Sequence, residues 1–174
     1  MNPCKCGFFP DLGKCRCTPT QIRRYLNRVS GPFLDRIDIG VEVPRQDLGK
    51  MAAEKSIDEG SFPQTERRDS SAVMRARVME ARARQEMRFA DESISYNSQM
   101  TRRQIEEYCR LSGEDAVFLE KVERQQGISA RGHGKILKVA RTLADLDGQA
   151  EIGRTQLAEA IGFRSFEKKY WGSL

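Results

Sequence analysis

The sequence predicts a mainly α-helical protein, in which a helical bundle follows a short cysteine-rich segment and a single strand. From Ser70 onward, helix-capping residues repeatedly precede apolar residues spaced three and four positions apart, as on the buried face of a helix. Residues 34–43 alternate apolar and polar side chains, which is typical of a half-buried strand. Residues 1–20 are rich in cysteine, glycine and proline and show no helical period.

The composition indicates a protein with one modest core. Of the 174 residues 39% are hydrophobic and 7% aromatic, and the apolar residues concentrate in the second half of the chain. A net charge of +5 permits contact with phosphate but does not require it. The N-terminal stretch does not resemble a signal peptide, and no apolar run approaches the roughly 18 residues that span a bilayer. We therefore expect a cytoplasmic protein without membrane contact.

The first elements in chain order are a short helix and the strand. Gln21–Val29 has a helical pattern, and the Gly-Pro pair that follows ends it. The strand over 34–43 places four apolar residues at alternate positions, Ile37, Ile39, Val41 and Val43. Pro44 ends the strand. Residues 45–70 have so little apolar content that they predict a flexible linker.

Residues 71–174 are predicted to form a bundle of four or five helices. Four predicted helices each begin after a residue whose side chain can accept a hydrogen bond from the first turn, Ser70 or Ser71, Thr101, Ser112 and Ser129. The last of these helices has the most regular buried face, made of His133, Ile136, Leu137, Ala140, Leu143 and Ala144. Gly127 and Gly148 end two of the helices, and a final short helix carries Leu157 and Ile161.

Four cysteines near the N-terminus are candidates for a metal site. Cys4, Cys6, Cys15 and Cys17 form two C-x-C pairs separated by eight residues. Two close thiolate pairs joined by a loop can surround a tetrahedral ion such as zinc, although the commoner zinc spacing is C-x2-C. The alternatives are two disulfides, which are rare in chains without an export signal, or four thiols without a ligand. We predict structural zinc, and a packing role for Cys109 in the helical half.

Three further segments carry a family resemblance, Met1-Asn2-Pro3-Cys4, Ser30-Gly31-Pro32-Phe33-Leu34-Asp35-Arg36-Ile37-Asp38 and Ile128-Ser129-Ala130-Arg131-Gly132-His133. In this order, between Met1 and Arg164, they resemble the C-terminal portion of the magnesium-chelatase-related AAA+ ATPases. Within that family, the resemblance is strongest to the branch associated with bacterial competence. The resemblance implies a helical AAA+ lid over 71–174. It also implies a remnant of the α/β AAA+ core over 1–44, with the cysteines in a zinc-ribbon-like insert (4–17).

The resemblance further implies roles at a nucleotide site for three residues. Asn2 corresponds to the sensor-1 amide, which orients the water that attacks the γ-phosphate. Arg36 corresponds to an arginine finger that reaches the nucleotide of a neighbouring subunit, and Arg131 to the sensor-2 arginine at a helix N-terminus. Without the family, Arg36 could equally form a surface ion pair with Asp35 or Asp38, and Arg131 could be a solvated charge at a helix start.

The phosphate-binding part of such a nucleotide site does not occur in the sequence. No G-x-x-x-x-G-K-[ST] loop is found, and no acidic strand end precedes Asn2 to hold magnesium. We therefore expect this chain alone to lack ATPase activity. ATP and magnesium are expected only in a longer parent, which adds an N-terminal AAA+ core and assembles as a homo-hexamer.

Three functions remain as alternatives. The first is ATP-driven remodelling or translocation of DNA, as the family's role in natural transformation implies. Candidates for DNA contact are the basic residues of two predicted helices, Arg23, Arg24 and Arg28 beside Tyr25, and Arg75, Arg77 and Arg82. The second function is metal insertion by a magnesium-chelatase-type ATPase. The third is a non-enzymatic, zinc-bearing interaction module.

Overall fold

The computed structural model describes residues 1–43 and 70–171, and these are mainly helical. The first range contains α1 (Pro19–Leu26) and α2 (Gly31–Leu34). The second range contains α3 (Ser71–Arg88), a 3-10 helix (Asn97–Gln99), α4 (Arg102–Tyr108), α5 (Gly113–Gln126), α6 (Ala130–Leu146), α7 (Arg154–Gly162) and α8 (Ser165–Trp171). The linker predicted over 45–70 lies, apart from Ser70, outside the described residues. None of the described helices is both long enough and apolar enough to cross a membrane.

The predicted capping residues are confirmed as the starts of α3, α4, α5 and α6. Their side chains accept hydrogen bonds from backbone amides three residues later, those of Val73, Gln104, Asp115 and Gly132. Each bond satisfies an amide that has no partner within the helix and is worth about 1 kcal/mol. Gly127 ends α5 with a φ of 67°, a left-handed conformation that favours glycine.

The main core of the bundle surrounds α6. This helix packs against α3, α4 and α7. Its buried face contains Ile136, Leu137, Ala140 and Ala144, as predicted. His133, which was predicted to share that face, is only half-buried, and its Nδ1 atom lies 2.7 Å from a carboxylate oxygen of Glu123 on α5.

A buried ionic cluster crosses the bundle, and the sequence pattern did not predict it. Asp145 on α6 is fully buried and accepts hydrogen bonds from Arg88 on α3 and, at 2.8 Å, from Asn97. Arg141, one turn earlier on α6, lies 3.2 Å from the same carboxylate. Burial raises the pKa of Asp145, but the hydrogen bonds from Arg88 and Asn97 outweigh it and hold that pKa below its ordinary value.

The strand predicted over 34–43 is wrong. Leu34 ends α2, and within residues 1–43 and 70–171 the backbone forms no strand. A strand requires a neighbour that pairs its amides and carbonyls, whereas here the segment binds the end of the helical bundle. The Gly40 amide donates to the Phe163 carbonyl at 2.9 Å, and Arg164 donates to the Ile37 carbonyl at 2.9 Å. The alternating pattern therefore did not suffice to specify a strand.

A second, smaller core joins the two ends of the described chain. Ile22 and Leu26 of α1 and Tyr170 of α8 are buried around Cys4. Trp171 packs against this cluster, and its indole Nε1 donates to the Leu26 carbonyl at 3.1 Å. The helix α8, which sequence analysis did not predict, thus fastens the end of the bundle to the cysteine-rich segment.

Candidate metal centre and arginine site

The four N-terminal cysteines lie together. Their sulfur atoms are all within 4.8 Å of one another. Three separations are 3.4 Å (Cys4 to Cys6), 3.6 Å (Cys6 to Cys15) and 3.8 Å (Cys4 to Cys15), and none of the four is in a disulfide. A tetrahedral site with zinc–sulfur bonds of about 2.3 Å has sulfur–sulfur edges of about 3.8 Å. The cluster could therefore bind a metal ion such as zinc.

Backbone turns on both sides of the loop bring the sulfurs together. Gly7 directly follows the first cysteine pair with a φ of 77°, and its amide donates to the Cys4 carbonyl at 3.1 Å. The Phe9 amide donates to the Cys4 sulfur at 3.4 Å. Before the second pair, the Cys15 amide donates to the Asp11 carbonyl at 2.8 Å. These turns allow the short C-x-C spacing to form a compact cluster.

The first cysteine pair ionises more readily than an ordinary thiol and the second pair less readily. A hydrogen bond from the Phe8 backbone lowers the pKa of Cys6 to about 6. The Cys17 backbone donates to Cys15, yet burial and the neighbouring thiols raise the pKa of Cys15 to about 12. Neighbouring cysteines thus lower the pKa of Cys6 and raise that of Cys15. A bound divalent ion favours the deprotonated form of all four, because it binds thiolate sulfur.

Cys109 differs from the four clustered cysteines. It lies in the apolar core of the bundle, where burial raises its pKa to about 11. This location agrees with the packing role predicted for it.

Arg131 meets the segment that carries Arg36. Arg131 is in the first turn of α6, and its Nη1 atom lies 3.8 Å from a carboxylate oxygen of Asp35. The hydroxyl of Ser129 donates to the other oxygen of Asp35 at 3.0 Å. Asp35 is the residue directly before Arg36, so the start of α6 and the end of α2 are joined through one carboxylate.

Both arginines remain open to solvent. The Arg131 side chain is 61% exposed. Arg36 is exposed and donates to the Pro32 carbonyl at 2.6 Å, so neither of its suggested ion pairs is the contact that forms. Asp38 instead pairs with Lys135, at 2.7 Å.

Asn2 is not among the residues that contact Asp35. It is exposed, two residues before the buried Cys4, and the described part of the chain contains no strand. Its assignment to sensor 1 stays a prediction.

Arg164 also belongs to this site, although it was not predicted from the sequence. Arg164 is only 5% exposed, donates to the Ile37 carbonyl, and its Nη2 atom lies 3.9 Å from the Asp35 carboxylate. The signal available in the sequence was its position, directly after the apolar helix α7 and at the end of the family-like region.

Comparison with known proteins assigns the chain to a family. Residues 68–164 match the family described as magnesium chelatase, subunit ChlI C-terminal, and residues 1–51 match the family described as magnesium chelatase, subunit ChlI. The chain belongs to the magnesium chelatase ChlI family. Within it, the chain is 40% identical to competence protein ComM of Haemophilus influenzae over 166 aligned residues, and this alignment covers 95% of the chain. It is 39% identical to YifB of Escherichia coli over 168 aligned residues, and this alignment covers 97% of the chain. The chain spans 30% of the length of each of these two relatives.

Proposed function

We propose that this chain is the C-terminal part of an ATP-driven AAA+ protein that remodels or translocates DNA. In this proposal, Asn2, Arg36 and Arg131 complete a nucleotide site whose phosphate-binding core lies outside the chain. The contact between Arg131 and Asp35 carries the proposal, because it joins the start of α6 to the residue before Arg36. The relatives' greater length is compatible with such a core.

The chemistry of the two arginines fits phosphoryl transfer. Charge that develops on the transferred phosphoryl group is stabilised by a guanidinium, which offers a planar set of donors. Arg131 stands at the N-terminus of a helix of 17 residues, where the helix dipole also favours an anion. Arg36 would act on the nucleotide of a neighbouring subunit, and Arg131 on that of its own.

The cysteine cluster has a structural role in this proposal. Cys4, Cys6, Cys15 and Cys17 would hold a zinc ion with four thiolates, which leaves no open position for substrate. The ion would stabilise the turn that α1 and α8 cover. Lys5, Lys14 and Arg16 alternate with the cysteines and would offset part of the negative charge that four thiolates leave around zinc.

Mixing two inactive variants tests whether Arg36 acts in trans. In the complete protein, we expect Arg36→Ala and Arg131→Ala each to lower the rate of ATP hydrolysis, since loss of an arginine finger costs about 10³- to 10⁵-fold. A mixture of the two variants should recover part of the activity. Arg131→Ala subunits would supply the finger to the intact nucleotide sites of Arg36→Ala subunits. Steady-state ATPase assays after subunit exchange measure this recovery.

Arg110→Ala is the matched control, because Arg110 is an exposed arginine outside the site, and its activity should equal that of wild type. Absence of recovery in mixtures that exchange subunits would rule out action in trans. If hydrolysis depends on neither Arg36 nor Arg131, the whole assignment fails. Porphyrin metallation by the complete protein would support the metal-insertion alternative, and a complete protein without ATPase activity would support the interaction module.

DNA binding is expected to depend on the basic residues of α1 and of the turn that follows it. Arg23 and Arg24 on α1 and Arg28 in the turn are exposed. Arg28 lies over the Tyr25 ring at 5.7 Å, whereas Arg82 on α3 is held closer to the Tyr96 ring, at 3.9 Å. In a low-salt gel shift with the complete protein, Ala at all three positions should weaken binding. It should also reduce the salt slope by up to about 3, since each phosphate contact contributes about 0.9. A Lys121/Arg124 double Ala variant on α5 is the control, and no shift of DNA by wild type would refute DNA binding.

A further inference from the structure

Three side chains of the helical bundle contact the carboxylate of Asp35. The hydroxyl of Ser129, the capping residue of α6, donates to Oδ1 at 3.0 Å. Arg131 lies 3.8 Å from Oδ2, and Arg164 lies 3.9 Å from Oδ1. Because Arg164 also donates to the Ile37 carbonyl, the segment on both sides of Arg36 is held by one buried guanidinium. The Asp35 side chain is still 32% exposed, so a ligand can reach its contacts.

The Asp35 carboxylate lies where an anionic ligand at the N-terminus of α6 would bind. The first turn of a helix attracts negative charge through its free amides and its dipole. Here that turn is tightly built, because a Cβ atom at Gly132 would lie 2.7 Å from Ile128 Cγ2. The two arginine contacts are longer than charge-assisted hydrogen bonds, which measure about 2.7–2.9 Å. Such long and partly solvated contacts are weak, so a phosphate of higher charge can replace the carboxylate.

We propose that Asp35 is a positioning residue that holds Arg131 in the absence of nucleotide and yields it to the γ-phosphate when nucleotide binds. This inference rests on the proposed role of Arg131 at the nucleotide. Asp35 directly precedes Arg36, so loss of the Arg131 contact weakens the attachment of the segment that carries the trans-acting arginine. Binding of nucleotide in one subunit is thereby linked to delivery of Arg36 to the neighbouring subunit.

The variant Asp35→Asn tests this link in the complete protein. Asparagine retains the size of the side chain and an oxygen for Ser129 but removes the charge that competes with phosphate. We expect the KM for ATP to fall several-fold, the Hill coefficient to fall towards one, and kcat to fall less than tenfold. In Arg131→Ala, the additional change Asp35→Asn should have no further effect on KM. Steady-state ATPase kinetics at varied ATP measure all three quantities.

Asp38→Asn is the matched control, because Asp38 lies in the same segment but pairs with Lys135, and it should leave KM and cooperativity unchanged. A merely structural role of Asp35 would lower the melting temperature and kcat without lowering KM. An unchanged or raised KM with wild-type cooperativity in Asp35→Asn would overturn the inference.

Binding of inorganic triphosphate to this chain separates the inference from the proposed function. By titration calorimetry, we expect Asp35→Asn to bind triphosphate several-fold more tightly than wild type, and Asp35→Asn/Arg131→Ala to lose that gain. If this result is obtained but the complete protein does not hydrolyse ATP, the competition stands and the proposed function fails. If the complete protein requires Arg131 for hydrolysis but Asp35→Asn changes neither triphosphate binding nor KM, the proposed function stands and the inference fails.

Discussion

Removal of zinc from the purified chain is expected to unfold the cysteine-rich segment and to release α8 from it. Cys4 is fully buried, and Tyr170 and Trp171 pack on the cluster that it forms with Ile22 and Leu26. Structural zinc contributes about 10–16 kcal/mol to folding in zinc-finger peptides. A few apolar side chains contribute about 1.5–3 kcal/mol each when they are buried. The metal would therefore be the dominant source of stability in this small core.

The single tryptophan makes this loss measurable. We expect one zinc per chain by elemental analysis, and a red shift of Trp171 fluorescence when a chelator removes the ion. Cys4→Ser and Cys15→Ser should lack zinc and show the shifted emission without chelator. Cys109→Ala is the control, since its sulfur lies in the other core, and it should retain one zinc. A chain that folds without metal and does not bind added zinc would refute the site.

Replacement of Asp145 by asparagine is expected to have the largest effect of any single substitution in the helical bundle. The carboxylate is fully buried and faces two guanidinium groups, those of Arg88 and Arg141, whose side chains are 16% and 3% exposed. Without the carboxylate, two buried positive charges lose their partner, which costs about 3–5 kcal/mol. Burial lowers the pKa of Arg141 because it disfavours the charged guanidinium, and the nearby Asp145 carboxylate opposes that effect.

Urea denaturation at several pH values tests this expectation. The pKa of Asp145 in the folded chain lies below its ordinary value. Its stabilising effect is therefore fully present above the unfolded pKa of about 4 and is lost as the pH falls through the folded pKa. The difference in unfolding free energy between wild type and Asp145→Asn should follow that course. Asp91→Asn, at an exposed position, should differ from wild type by less than about 0.5 kcal/mol. A similarly small effect for Asp145→Asn would contradict the expectation.

The Asp145 cluster and the Asp35 contacts both join distant parts of the chain. Arg88 and Asp145 are 57 residues apart, and Ser129 and Asp35 are 94 residues apart. Nothing in the sequence pattern assigned a role to Arg88, and Asp35 was considered only as a possible partner of its neighbour Arg36. Neither pairing can be predicted from the periodicity of the sequence. The helical period indicates which side of a helix is apolar, but it does not indicate which buried polar groups come into contact.

The sequence by itself determined the local features of this protein. A capping hydroxyl and the amide that it binds are three residues apart, so the starts of α3, α4, α5 and α6 could be predicted from short segments. The two cysteine pairs are close in sequence and joined by a short loop, so their cluster was also predictable. The family was evident from motifs because motifs retain residue order.

Only the tertiary structure decided how these parts are combined. The alternating residues of 34–43 predicted a strand, but strand formation depends on a neighbouring strand. The segment instead binds Phe163, Arg164 and, through Glu42, the side chains of Lys169 and Tyr170 on α8. The partners of Asp35 and the attachment of α8 to the cysteine cluster depend in the same way on which surfaces meet after folding. Local hydrogen bonding is encoded within a few residues, whereas long-range pairing is selected by packing and burial across the whole chain.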